Sequence, residues 1–171
     1  MTTVYKKSAI YEIRKWLWAE LTDATTGILS QADYNKVVTN FNAVVPIQQI
    51  PETNSTLTTQ PFIVYDYIPV ERGPDYWRQR EEVVFTIYCS DYSDLMEIQE
   101  FMKDVFGRMD DSARDINAYN PNSVFKFFMF EILDALPPDP AKNEDGRFGA
   151  SFTVAYEYTR KSITANGKFA S

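Results

Sequence analysis

The chain contains no histidine, a single cysteine and only six glycines. Without histidine the commonest general base and the commonest metal ligand are both missing, so ordinary hydrolase and zinc chemistries are hard to build. One cysteine, Cys89, cannot form an internal disulfide. Neither G-x-G-x-x-G nor the Lys-Ser/Thr ending of a phosphate-binding loop occurs, and no nucleotide site is expected. No apolar run approaches the ~20 residues of a membrane span. The opening MTTVYKKSAIYEIRKWLWAEL carries charges through its apolar stretch, unlike an export signal, so a cytosolic product is expected. Positive charge is also short: 17 Lys and Arg stand against 24 Asp and Glu, a net of −7. Such a field repels nucleic acid and acidic membranes, although an acidic wall around a passage lets a polyanion slide through without sticking.

What remains suits one folded domain. The 171 residues are 44% apolar and 15% aromatic, enough for a core without disulfides or metals. From Ala9 to Leu21, Ile10, Ile13, Leu17 and Leu21 fall at helical spacing. Trp16 and Trp18 cannot share that stripe, so one of them packs under a neighbour or lies at an interface. Ser30 is a candidate cap for a short second helix. The stretch between Pro46 and Pro61 reads as a loop or extended arm, with residues 52–60 a candidate contact element. Period-two patterns then give two strands of a hairpin, PFIVYDYIPV and EEVVFTIYCS, joined through ERGPDYWRQR. Leu95, Ile98, Phe101, Met102, Val105 and Phe106 mark a helix capped by Asp91 or Ser90. MDDSARD reads as turn-like, with at most another short helical turn. Two strands close the domain: VFKFFMFEIL, with Phe125, Phe127 and Met129 on one side and Phe128, Phe130 and Ile132 on the other, and RFGASFTVAYEYTR in strict alternation. The first of these is apolar on both faces, so a helix, a loop or another subunit must cover its second face. The order α-β-β-α-β-β predicts an α+β domain over residues 1–160, with helices on a mainly antiparallel sheet of about four strands. Residues 161–171 form a tail, disordered or ordering on a partner.

Cys89 stands just ahead of a helix start, where a thiol can become a nucleophile. With no histidine beside it, and with Val83, Phe85 and Ile87 leading into it on one face, a core role is the better account. The acids of MDDSARD and NEDG lie in polar stretches and read as solvated charge rather than as a paired-carboxylate or metal site. No catalytic residue, cofactor or metal is expected. Arg72, Tyr76, Trp77, Arg78 and Arg80 interleave aromatics with arginine at the hairpin tip, a composition typical of protein–protein hot spots. The alternative, stacking on single-stranded nucleic acid, conflicts with the overall charge.

Five stretches taken together, AIYEIRKWLWAEL, PFIVYDY, EEVVFTIYCSDYSDLMEIQEFM, MDDSARDIN and FGASFTVAYEYTR, resemble the tail terminator or tail completion proteins of long-tailed bacteriophages, also called neck or head–tail joining proteins. The resemblance covers most of residues 9–160 and implies a homo-oligomeric ring, usually of six subunits. Such a ring stacks on the tail tube protein, stops tube growth and offers a docking face to the head connector. It further implies a virion location after assembly in the host cytoplasm, with DNA only passing through the lumen and no membrane partner. Residues 52–60 have no counterpart in that pattern. Two other readings stand beside it: another virion or secretion-system subunit of tube or head-completion type, and an enzyme with an unusual acid-based site.

Overall fold

The computed structural model describes residues 8–30, 44–46, 61–68, 78–144 and 146–160. Arg72, Tyr76, Trp77, the helix expected after Ser30, the polar stretch 52–60 and the tail 161–171 lie outside them. Three helices, α1 (Ala9–Leu21), α2 (Tyr92–Phe106) and α3 (Asp110–Tyr119), and five strands, β1 (Val44–Pro46), β2 (Phe62–Ile68), β3 (Arg78–Cys89), β4 (Phe125–Ala135) and β5 (Phe148–Arg160), make up the described residues.

The domain is α+β: β2, β3, β5 and β4 form a four-stranded antiparallel sheet in that order, with the N-terminal and central helices packed on it. Three residues of β1 add a parallel edge beside β2. That short strand ends where the stretch read as loop begins, and the sequence does not signal it because three residues are too few to display a period. Since β5 is antiparallel to both β3 and β4, those two run parallel with β5 between them. Helices α2 and α3 are therefore the crossover of a split β-α-β unit.

The alternation of β3 and β5 holds. Val83, Phe85, Ile87 and Cys89 face inward opposite Val154, Phe152, Ala150 and Phe148. Phe106 of α2 sits at the centre of the core, 5.7 Å from the rings of Phe85, Phe130 and Trp16. Trp16 is thus the core tryptophan, fully buried, and Trp18 is half-buried on the far side of α1. The carboxylate of Asp91 caps α2 by accepting from the backbone N–H groups of Ser93 and Asp94 at 2.8 and 3.2 Å.

Two expectations are corrected. MDDSARD is more than a turn or a short helical turn: Asp110–Asp115 open α3, a ten-residue helix with Met109 just ahead of it. It is moored by the Ser112 hydroxyl donating to the Val105 carbonyl at 2.6 Å. Strand β4 does not alternate strictly: the register shifts between Phe127 and Met129. The extra residue of this bulge brings Phe130 onto the same inward face as Phe125 and Phe127, all three buried. Much of the supposed second apolar face of β4 is therefore its first face resumed after a bulge. Phe128 and Met129 alone turn outward there, both half-buried.

As the outer strand of the sheet, β4 would leave backbone groups open. At Phe127 the side-chain amide of Asn117 closes them, donating to the Phe127 carbonyl at 2.8 Å and accepting from its N–H at 3.0 Å. Asn117 acts as a one-residue strand laid on the edge. Replacing it (Asn117→Ala) leaves both groups without that partner and is expected to cost about 1–3 kcal/mol, with added edge-to-edge aggregation. Urea unfolding monitored by circular dichroism checks the first effect; an unchanged midpoint would show that water serves Phe127 equally well.

Candidate functional site: the open face of the sheet

The described helices all pack on the inner face, and among the described residues no helix packs on the outer one. Strand parity places Arg78, Arg80, Val84 and Tyr88 of β3, Glu157 of β5 and Phe128, Met129 and Glu131 of β4 on this outer face, together with Phe62 and Val64 of β2 and Ala155 of β5, which are buried there. Arg80 stands opposite Glu157 in the cross-strand register. Its guanidinium bridges two strands, 3.4 Å from Glu157 and 3.1 Å from Glu131. Arg78 reaches the other oxygen of Glu157 at 3.3 Å and lies 4.6 Å from the centre of the Phe128 ring. Lys126 approaches that ring from its own strand, at 5.9 Å.

Of the five residues expected at a hairpin tip, the structure therefore brings Arg78 and Arg80 together, though not at a tip. Strand β3 begins at Arg78, so both are strand residues engaged with the sheet's own acids. Partly exposed ion pairs of this kind contribute on the order of 1 kcal/mol or less each. Their effect is to hold two guanidinium planes and an aromatic ring in one arrangement, so that a partner need not spend entropy ordering them.

Cys89 is buried at the end of β3, and burial, with Asp94 and Asp91 nearby, pushes its thiol up to about 12. The two acids at the start of α2 oppose the helix dipole that would otherwise favour a thiolate. Cys89 thus completes the inward series. The acids of α3 are mostly committed to neighbours: Asp111 to Arg114 at 2.6 Å and Asp115 to Arg108 at 2.9 Å. Glu144 of NEDG is exposed, and Asp145 lies outside the described residues. Among the described residues no three His, Cys, Asp or Glu side chains gather as a metal site, and no helix is long and apolar enough to cross a membrane. An open hollow of about 430 Å³ follows α1, lined by Thr22, Asp23 and Gly27–Ser30 among others. Its one acid, Asp23, already accepts from the backbone of Thr25 and Thr26 at 2.8 and 2.9 Å.

Sequence reasoning missed Glu81. It is an inward-facing, nearly buried carboxylate on β3, and its oxygens accept from the hydroxyls of Tyr158, Tyr67 and Tyr156 at 2.6, 2.7 and 3.0 Å. The Tyr158 hydroxyl also meets the side-chain amide of Gln79 at 2.9 Å. Burial, reinforced by the negative charge and hydrogen bonds of Glu81, raises all three phenols well above their ordinary value near 10. The signal was present: Glu81 has the same parity as Val83, Phe85 and Ile87, and an acid on a core-facing register must find donors. The cluster ties β2, β3 and β5 together at the end of the sheet where Arg78 and Arg80 stand. No protein-family model matches the chain, and no curated protein matches it.

Proposed function

We propose that this protein is a structural component of a phage neck, a ring-forming tail terminator that caps the tail tube and presents a docking face to the head connector. The observation that carries the reading is the outer sheet face, on which no described helix packs. Half-buried Phe128 and Met129 flank an Arg–Glu ladder already fixed in place, with Val84 and Tyr88 farther along β3, on a sheet that the described helices cover from one side only. Rigid aromatic and arginine side chains on a firm scaffold suit recognition by packing. A subunit with net charge −7 suits a lumen through which DNA passes without adhering. On this reading the chain works by assembly in the host cytoplasm and in the virion, with sister copies, tube protein and connector as partners, and it catalyses no reaction.

The test is to add purified protein to polymerising tail tube protein and image the products by negative-stain electron microscopy. The expected result is tubes with one ring-shaped cap and a mean length that shortens as the ratio of this protein to tube protein rises. Tubes of unaltered length and bare ends would reject the terminator. Incorporation along the tube wall would favour a tube-type subunit instead.

A further inference from the structure

The helix layer carries two surfaces of opposite character that the outer sheet face does not involve. On α1 the positions opposite the buried stripe include Tyr11, Arg14, Lys15 and Trp18, all half-buried. The Arg14 guanidinium lies 5.4 Å and the Lys15 ammonium 4.8 Å from the centre of the Tyr11 ring. Neither acid of α1 lies at ion-pair distance from these cations: Glu12 is buried and accepts from Asn120, and Glu20 accepts from the Trp16 indole at 3.1 Å. This face is cationic and aromatic.

Residues 91–119, which span α2 and α3, hold eight acids against three bases. All three bases are spent within the layer: Lys103 pairs with Glu100, Arg108 with Asp115 and Arg114 with Asp111. Among the described residues Asp94, Glu97, Asp104 and Asp110 have no cation at ion-pair distance. Between these acids Met96 and Met109 stand 39% and 52% exposed. Met109 does so from a positive φ of 51° at the start of α3, a conformation non-glycine residues rarely adopt. Methionine repacks readily against an aromatic partner.

We propose that the Tyr11–Arg14–Lys15 face of α1 in one copy docks on the acidic, methionine-bearing face of α2 and α3 in a second copy. The charges are complementary, and tyrosine, arginine and methionine are the residue types enriched in interface cores. The two faces differ, so the contact joins unlike surfaces, and repetition of such a contact closes a ring when the rotation allows it. A polyanion is a poorer occupant of the α1 face, because two cations on a chain of net charge −7 give little attraction to a phosphate backbone. The inference rests on the proposed function only in taking the partner to be a sister copy.

Charge exchange in the full chain tests it. One variant carries Arg14→Glu with Lys15→Glu, the other Glu97→Lys with Asp104→Lys, and sedimentation velocity follows each alone and mixed. The unaltered chain is expected to self-associate, less so at high salt, and each variant alone to do so at least about tenfold more weakly. An equimolar mixture of the two should co-assemble, since each then offers the face the other lacks. A chain that stays single at about millimolar concentration, variants that associate as the parent does, or a mixture that stays apart would overturn the contact. So would binding of a duplex oligonucleotide by the parent that the α1 variant loses. Circular dichroism checks that each variant folds, and neutral Arg14→Gln and Glu97→Gln substitute should one fail. Tubes capped by both reversed variants would remove this contact and leave the terminator standing. Association that follows the charges, in a protein that never caps tubes, would do the opposite.

Discussion

Trp16→Ala is expected to destabilise the protein by about 3–5 kcal/mol, a large share of the roughly 5–15 kcal/mol that holds a typical domain folded. Trp16 has no exposed surface, stands edge-on to Phe106 at 5.7 Å, and lies 5.6 Å from Phe130. Those rings join α1 to α2 and β4, so the cavity would open where three elements meet. The surroundings cannot collapse into it without moving Phe106, which also stacks on Phe85 and touches Phe152. Trp18→Ala, two residues on but half-buried on the opposite side of α1, is expected to cost clearly less. Urea midpoints for the pair decide the matter. Equal losses would mean that the core does not lean on the tryptophan the geometry selects.

The second large effect is alkaline. Tyr156 and Tyr158 are buried against Glu81, with phenol pKa values raised first by burial and then by that carboxylate, and Cys89 is raised to about 12. In the unfolded chain the thiol loses its proton above about pH 8.5 and the phenols above about pH 10, whereas in the folded chain all three stay protonated. The unfolded state then binds fewer protons than the native one, so stability falls as pH rises. Below the unfolded values these groups exert no pH dependence. Each of them contributes a loss of about 1.4 kcal/mol per pH unit inside its window. Urea midpoints are expected to hold level between about pH 7 and 8, decline gently from about pH 9 and drop steeply above about pH 10. Tyr156→Phe, which keeps the ring and removes the proton, should lessen the steep part by one group's worth. A flat profile to about pH 11.5 would show that the thiol and the phenols all ionise freely in the folded protein.

The parts of the fold legible in the sequence are those where one short-range period runs unbroken. Strands β3 and β5 alternate without interruption, and α2 repeats its apolar residues at three and four behind an aspartate cap, so their type and inward faces could be read directly. Strand β4 was misread because a bulge resets parity, and nothing in FKFFMF distinguishes an inserted residue from a second apolar face. Helix α3 was read as a turn because it buries only Ser112, Ala113 and Ile116. Its helicity comes from packing on β4 rather than from an apolar stripe of its own. Arg78 and Arg80 read from the sequence as part of a hairpin tip, whereas they lie on β3 with acid partners 51 to 79 residues away in the chain. Such partners follow from sheet order, which sequence spacing does not contain. The same holds for Glu81, whose parity was readable and whose three tyrosines were not.

The placement of β5 also bears on how the chain comes to be folded. While the ribosome is still making the connector after β4, the edges of β3 and β4 that β5 will pair with have no strand between them. Only the late-emerging 13 residues of β5 fill that gap. Long-range pairing of this sort is slow and vulnerable to self-adhesion. Nascent copies released together from one message face the hazard of lending this strand to each other before lending it to themselves.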